Sequence, residues 1–432
     1  MQKLNNLQNK KICLLGFGIE NQALLKFLIA KKINFDITVC DAKKDTECPI
    51  GHSVSWRVGK NYDKNLDQFD IIFRSPGYPL FTKQIKKAKK AGVIISSPMK
   101  LFFDLCPSKT IIGVTGTKGK GTTASLIYQI LKAGKKRVWL GGNIGIAPFT
   151  FINKIKKNDW VVLELSSFQL EDIKVSPKIS IITNFTKEHL APADPNNPNY
   201  HKTMLTYKNA KTHIIKWQKK NDQAIINQKL NNISWKLGKS KKIFFTKSYL
   251  PSLLAGEHNK ENIAAAIEVA KIININKNII QKTIANFKGL EHRIELAGKK
   301  QGRTYYNDSF ATTPESAIIA LKSFTSPITL LVGGADKGSN FKSLAKEIKR
   351  KVQFVVLLKG QATPRIKKEL LKIKYPKNKI KLVHNIKTAV QTAQKNSQAG
   401  DIILLSPACA SFGMFNNYKE RGKLFKKEVK KI

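Results

Sequence analysis

With 432 residues, 42% of them hydrophobic, the chain is long enough for two or three domains that each bury a core, which excludes both a small stapled fold and a disordered chain. Its 77 lysines and arginines against 29 aspartates and glutamates give a net charge of +48, yet the lysines are spread over the whole chain, as at Lys10-Lys11 and Lys430-Lys431, and far outnumber arginine. That distribution predicts nonspecific attraction to polyanions and argues against a dedicated nucleic-acid site.

No segment reaches the roughly 18 apolar residues of a membrane span, and the N-terminal stretch lacks a signal-like hydrophobic run, so a cytoplasmic protein without membrane contact is expected. The five cysteines, Cys13, Cys40, Cys48, Cys106 and Cys409, are scattered, odd in number and without a C-x-x-C pair. Reduced, buried thiols are expected, not disulfides or a zinc site.

The first predicted strand, residues 11–15, ends in Gly16-Phe17-Gly18 and leads into a helical pattern through Leu24, Leu25, Phe27 and Leu28. Strands follow at 37–40, closed by Asp41, at 70–73 and at 92–95. Cys106-Pro107-Ser108 reads as the exit from a first domain, 1–107. A second domain, 108–294, opens with a strand at 110–114, a glycine-rich loop and a helix at 124–131. A third, 295–432, alternates strands at 304–306, 328–332, 354–358 and 402–405 with lysine-rich amphipathic helices. This alternation predicts an α/β protein of mainly parallel sheets covered by helices, without internal repeats.

The turn at Gly16 and Gly18 lets a backbone approach a phosphate, but Asn21 stands where a dinucleotide fingerprint has its third glycine, and an ordinary tight turn fits equally well. The second loop is more specific. In Gly116-Thr117-Lys118-Gly119-Lys120-Gly121-Thr122-Thr123, between strand and helix, glycines let backbone N–H groups converge on phosphate oxygens and Lys120 supplies a cation. It departs from a strict P-loop: Val114 takes the first glycine position, and Gly121 stands where a magnesium-binding hydroxyl is expected, leaving Thr122 as the next candidate.

That loop is similar to the ATP loop of the Mur ligase and folylpolyglutamate synthetase superfamily. Further segments resemble the family's motifs in its own order: Gly141 to Gly145, Glu164 to Leu170 with Ser166-Ser167-Phe168-Gln169, Asn184 to His189, Tyr207 to Lys211, Gly256 to Asn262, and His292-Arg293. Asn307 to Thr312, Gly333 to Gly338, and Ser406 to Phe412 with Tyr418 and Arg421 complete the series, so the resemblance spans residues 11–425. The Ser166 to Gln169 segment is similar to the D-glutamate-adding branch.

The resemblance implies three α/β domains: a Rossmann-like N-terminal domain, a central P-loop-type ATPase domain and a Rossmann-like C-terminal domain. It implies an ATP-dependent ligase that adds D-glutamate to UDP-N-acetylmuramoyl-L-alanine through an acyl phosphate, acting as a monomer. ATP would lie on the loop from Gly116 to Thr123, with Asn259 and Asn262 at the adenine, Asp308 at the ribose, and Lys120 and Arg293 at the transferring phosphoryl group. Thr122, Glu164, His189 and a carbamylated Lys211 would hold two Mg²⁺ ions, for which Mn²⁺ can substitute. Gly16, Gly18, Asp41, Ser75 and Gly77 would bind the uridine diphosphate; Asn143, Ser166, Ser167 and Gln169 the acceptor; and Thr312, Lys337, Ser411, Phe412 and Tyr418 the incoming amino acid.

Phe310 departs from a common lysine, Gly413 from a common aspartate, and an insertion at 191–198 follows His189. The nearest rivals are sibling ligases adding L-glutamate or a diamino acid, or extending folate. A remote one, suggested by charge alone, is a nucleotide-regulated nucleic-acid-binding protein.

Overall fold

Strands buried on both faces of a parallel sheet have to be apolar along most of their length, and Cys13–Leu15, Ile112–Val114 and Leu330–Val332 are such runs, all fully buried. The computed structural model describes residues 7–31, 36–43, 54–192, 198–231, 235, 237–336 and 338–432. The first sheet contains β1 (Lys11–Leu15), β2 (Asp36–Asp41), β3 (Ser55–Val58), β4 (Ile71–Arg74) and β5 (Ile94–Ser96), in the order β3-β2-β1-β4-β5 and parallel throughout. Its order reverses between β1 and β4. Ligands of open α/β sheets bind in the crevice at such a reversal, beyond the carboxyl ends of the strands, and the turns at Gly16 to Gly18 and Ser75 to Gly77 lie there.

The second sheet contains β6 (Ile111–Thr115), β7 (Val138–Gly142), β8 (Trp160–Glu164), β9 (Ile179–Ile182), β10 (Gln223–Asn227) and β11 (Lys241–Phe245). Its order, β11-β10-β9-β6-β8-β7, puts the loop after β6 between the carboxyl ends of β8 and β9. The third contains β12 (Glu295–Lys300), β13 (Arg303–Asn307), β14 (Ile328–Val332), β15 (Val352–Leu358), β16 (Ile380–Val383) and β17 (Ile402–Leu405) in the order β12-β13-β17-β14-β15-β16. Asp308, Ser406 and Gly333 thus follow three adjacent strands.

The chain packs as two compact units, 1–248 with 261–280, and 249–260 with 281–432. In the first unit one continuous apolar cluster runs from Leu7 through Phe102 and Phe149 to Trp235, so the first two sheets share a core. The second unit buries clusters on both faces of its sheet, with Leu330, Val355 and Leu404 on one and Leu331, Val356 and Leu405 on the other.

The helices explain where the charge goes. Helix Lys83–Lys90 buries Ile85 and Ala88, and helix Lys342–Lys351 buries Leu344, Ala345 and Ile348, leaving the lysines on the outer faces. The side chains of Thr82, Ser97, Thr203 and Thr313 cap four helices by accepting from backbone N–H groups, each a contribution of about 1 kcal/mol.

The structure adds strands where the sequence reading named none, β3, β7 to β12 and β16, and it moves the start of β5. Strand β12 was not anticipated because its sequence, with Gly298 and Lys299-Lys300, reads as a turn; it pairs antiparallel with β13 and carries a bulge between Leu296 and Gly298. Strand β5 starts at Ile94, not at residue 92, because Gly92 takes a positive φ of 85° in the turn after the preceding helix. Cys13, Cys40, Cys106 and Cys409 are free and buried, whereas Cys48 lies outside the described residues. Among the described residues no helix is long and apolar enough to cross a membrane.

Candidate active site

The loop after β6 is built on two glycines whose positive φ and close neighbours disfavour any side chain. Gly116 has φ +149°, and a Cβ there would stand 1.9 Å from Thr183 Oγ1. Gly119, the N-cap of helix Lys120–Ala133, has φ +81°, and its Cβ would meet Asn262 Oδ1 at 2.2 Å. Asn262 also accepts from Thr123 Oγ1 at 3.3 Å, so it braces the loop from outside. Lys120 Nζ donates to the carbonyls of Gly116 (3.0 Å) and Thr117 (2.9 Å). A helix N-terminus and a lysine at a glycine loop form an anion site. Gly121 and the half-buried Thr122 lie on the first helical turn.

Thr117 and Lys118 hold the loop to its neighbour. Thr117 is buried, its hydroxyl 3.1 Å from the Tyr207 hydroxyl and accepting from Thr186 N at 3.0 Å. The Lys118 N–H donates to Asn184 Oδ1 at 2.9 Å, and its ammonium pairs with Glu188.

Glu164, at the carboxyl end of β8, is buried, and its Oε1 accepts from Asn143 Nδ2 at 2.9 Å. Lys211, on helix Met204–Lys216, is 1% exposed; its Nζ donates to Gly116 O at 2.7 Å and lies 4.8 Å from the centre of the Tyr207 ring. Burial first, and the nearby Lys120 cation second, hold its ammonium well below the ordinary lysine range. His189 has φ +60°, and its ring lies 5.6 Å from that of Tyr207. Burial lowers its pKa to about 4, leaving it neutral and able to bind a metal at neutral pH. Among the described residues no three His, Cys, Asp or Glu side chains gather into a metal cage. The donor set of Glu164 carboxylate and Thr122 hydroxyl still suits Mg²⁺, a hard ion usually held by one or two carboxylates plus substrate phosphates.

The Ser166 to Gln169 segment is a capping box: Ser166 Oγ accepts from Gln169 N, and Gln169 Oε1 accepts from Ser166 N at 2.8 Å. Gln169 Nε2 reaches across to Glu20, on the helix that follows Gly18. Burial raises the Glu20 carboxyl to about 7 against the opposing pull of Gln169 and Arg74. Ser167 Oγ lies 2.9 Å from His201 Nε2, and His201 Nδ1 lies 3.3 Å from Glu171 Oε1, with the imidazole stacked on Phe168 at 4.7 Å. Arg74 is fully buried and donates to Tyr78 O (2.7 Å), Phe168 O (2.9 Å) and Asp172 (3.2 Å). Asn199, just after the insertion, donates to Pro76 O at 2.7 Å. Sequence reading missed Glu20, Arg74, Asn199 and His201. Apolar and turn patterns carry no sign of such long-range polar contacts; the one local clue was a lone arginine, Arg74, at the end of an apolar strand.

In the first sheet, Asp41 Oδ2 accepts from Phe17 N at 2.6 Å, and a Cβ on Gly16 would strike Ser75 Oγ at 2.2 Å. Gly16, Asp41 and Ser75 therefore meet, with Gly18 as the N-cap of helix Ile19–Ala30 and Gly77 half-buried in the adjoining turn. Asn21 completes the turn through Nδ2, which donates to Gly16 O (2.7 Å) and Phe73 O (3.0 Å).

In the second unit, Asp308 is buried, with Oδ2 accepting from Ser406 Oγ (2.8 Å) and Oδ1 from Ile294 N (3.2 Å). Burial raises it to about 7 despite those bonds. It therefore fixes the turn that carries Arg293. Arg421, fully buried, joins Ser309 to the Cys409 and Ala410 carbonyls, and Ser309 Oγ donates to Tyr418 O at 2.8 Å. Asn259 donates to Ala255 O at 2.7 Å. A cavity of about 630 Å³ is lined by Ala335, Lys359, Gly360, Gln361, Phe412, Gly413 and Met414. Phe412 is 59% exposed, Ser411 beside it is buried, and Thr312 is half-buried. Lys337 lies outside the described residues.

Comparison with known proteins agrees along the whole chain. Residues 10–97 match the Mur ligase MurD-like N-terminal domain, 114–249 the Mur ligase middle domain, and 292–409 the Mur ligase glutamate ligase domain. The UDP-N-acetylmuramoylalanine–D-glutamate ligase of Acetivibrio thermocellus is 35% identical, covering 100% of this chain and 99% of that enzyme. The enzyme of the same name from Clostridium acetobutylicum is 36% identical, over 99% and 97%. Among solved structures, the fold is shared with a UDP-N-acetylmuramate-alanine ligase from Thermotoga maritima (TM-score 0.59, 17% identity, 98% and 100% covered). It is also shared with E. coli FolC in complex with DHPP and ADP (TM-score 0.54, 14% identity, 77% and 92% covered). The chain belongs to the Mur ligase family and is similar over its full length to that family's D-glutamate-adding enzymes.

Proposed function

We propose that the chain is an ATP-dependent ligase that adds D-glutamate to UDP-N-acetylmuramoyl-L-alanine in cytoplasmic peptidoglycan precursor synthesis, releasing ADP and phosphate. The observation that carries this is the convergence of Lys120 and Lys211 on the carbonyl of Gly116, at the mouth of a glycine loop beside Glu164 and His189. The γ-phosphate of ATP has to approach an anionic carboxylate, and the Lys120 cation held at the loop offsets that repulsion, while the buried Lys211 beside it serves in another form.

In this reaction the acceptor carboxylate oxygen attacks the γ-phosphorus and ADP leaves, giving an acyl phosphate. The amine of D-glutamate then attacks the acyl carbon, phosphate leaves and the ammonium proton is released. Two Mg²⁺ ions, or Mn²⁺, held by Thr122, Glu164, His189 and Lys211, would supply charge neutralisation on the phosphates. Lys211 takes part as its carbamate: the neutral amine, favoured by burial, adds to CO₂ and loses a proton, turning a cation into a carboxylate-like ligand.

Asn143, Ser166, Ser167 and Gln169 place the acceptor, while Gly16, Gly18, Asp41, Ser75 and Gly77 hold its uridine diphosphate. Asn259 and Asn262 serve the adenine and Asp308 the ribose. Arg293 contacts the transferring phosphoryl group, and Thr312, Lys337, Ser411, Phe412 and Tyr418 receive the amino acid. The ligase works as a monomer and has no specific nucleic-acid partner. The test is ADP release from ATP, Mg²⁺, UDP-N-acetylmuramoyl-L-alanine and either glutamate enantiomer. Turnover with D-glutamate alone is expected. Turnover with L-glutamate, a diamino acid or a folate instead would assign the chain to a sibling activity.

A further inference from the structure

Arg293 sits on an unusual piece of backbone. The residues on either side, His292 and Ile294, have φ of +66° and +44°, and Ile294 is β-branched, for which such a conformation is strongly disfavoured. Both are held there by bonds from outside the turn. His292 N donates to Glu295 Oε2 at 2.8 Å, His292 Nδ1 lies 2.9 Å from Asn307 Nδ2, and Ile294 N donates to Asp308 Oδ1 at 3.2 Å. Strain of this kind persists only when the surroundings over-determine it, and it collects at functional sites.

The turn delivers the Arg293 guanidinium to the face of Phe310, with its central carbon 3.8 Å from the ring centroid. Phe310 in turn meets Tyr418 edge-on, at 4.9 Å and 87°, and Tyr418 meets His292 at 6.0 Å and 85°. The four side chains form a ring of contacts that returns to the turn it started from. Phe310 is 37% exposed, so its ring is a shelf at the surface and not core packing. A planar guanidinium lying on an aromatic face loses rotational freedom while keeping its N–H edges available for an oxyanion.

We propose that Phe310 is a positioning residue for phosphoryl transfer, its ring holding the Arg293 guanidinium flat and edge-outward towards the phosphoryl group. The proposal rests on the phosphoryl role given to Arg293 above.

The test compares the full-length enzyme with Phe310→Tyr, Phe310→Leu, Phe310→Lys and Arg293→Ala, and adds the double variant of Phe310→Leu with Arg293→Ala. Readouts are kcat and KM for ATP, and the melting temperature. Phe310→Leu keeps the bulk without the aromatic face and is expected to lower kcat by about three- to tenfold, the range of a partly desolvated cation–π contact, with an unchanged melting temperature. Phe310→Lys, which sets a like charge against Arg293, falls at least as far, whereas Phe310→Tyr stays within about twofold of the native kcat. In the Arg293→Ala background, Phe310→Leu is expected to have no further effect, because the two residues act as one unit.

Native kcat in stable Phe310→Leu alongside an impaired Arg293→Ala would overturn the inference while sparing the role of Arg293. An undiminished effect of Phe310→Leu in the Arg293→Ala background, or a Phe310→Tyr as poor as Phe310→Leu, would overturn it as well. Native activity in Arg293→Ala would remove the role of Arg293 itself.

Discussion

Each of the two compact units presents a cation on a sharply turned backbone, and the two turns are made differently. Around Lys120 the positive φ values fall on Gly116 and Gly119, where a left-handed backbone carries no side-chain penalty. Around Arg293 they fall on His292 and Ile294, at a cost of about 1–3 kcal/mol each, offset by bonds from Asn307, Glu295 and Asp308. The first turn is local and written in its own eleven-residue stretch from Gly113 to Thr123. The second exists only once β13 has brought Asn307 and Asp308 beside it. The glycine loop thus owes its backbone conformation to its own residues, with Asn184 and Asn262 bracing it from outside, whereas the arginine turn takes its conformation from distant residues.

The largest expected effect is at the glycine loop. Lys120→Ala should cost about a thousandfold or more in turnover with the fold intact by circular dichroism, because the phosphoryl charge loses its cation. Near-native turnover would remove this loop as the ATP site. Lys211→Ala should fall by about a hundredfold and regain activity with added formate or acetate, since an anion can replace a carbamate but not an ammonium. Failure of rescue, with activity restored by Lys211→Arg instead, would show that a cation is what the site requires.

Smaller effects test the supporting bonds. Burial lifts the folded-state carboxyl of Glu20 from 4.5 to about 7, so its contribution is present at low pH and is lost as pH rises through 7. Glu20→Gln should therefore gain stability relative to the native chain as pH rises from 5 to 8, by up to about 3 kcal/mol in denaturant titrations. A pH-independent difference would mean that Glu20 ionises freely. Smallest is Asn307→Ala, expected to cost about 1–3 kcal/mol of stability by leaving the His292 turn under-bonded. It should also lower kcat as Phe310→Leu does, while Lys120-dependent nucleotide binding, followed by ADP titration, stays as it was.

Much of the fold was legible because parallel strands announce themselves as apolar runs ending in glycine or a turn, as at Leu15-Gly16 and Val332-Gly333. The edge strand Glu295–Lys300 did not, since one exposed side and a bulge leave it without an apolar run. At the site, the loop from Gly116 to Thr123 was legible from spacing and chemistry, whereas Glu164, His189 and Lys211 needed the family resemblance. A lone buried lysine looks like any other until its burial is known. Asn21 shows the reverse: it stood out as a missing glycine, and its amide bonds to Gly16 and Phe73 explain why that place is filled.

The most direct test of the central claim uses acceptor labelled with ¹⁸O in its carboxylate, together with ATP, Mg²⁺ and D-glutamate, and mass spectrometry of the products. The account predicts an acceptor extended by one D-glutamate residue, with one ¹⁸O from each turnover carried into inorganic phosphate, as attack of the carboxylate on the γ-phosphorus requires. A phosphate free of label, or an acceptor left unextended while ATP is consumed, would contradict it.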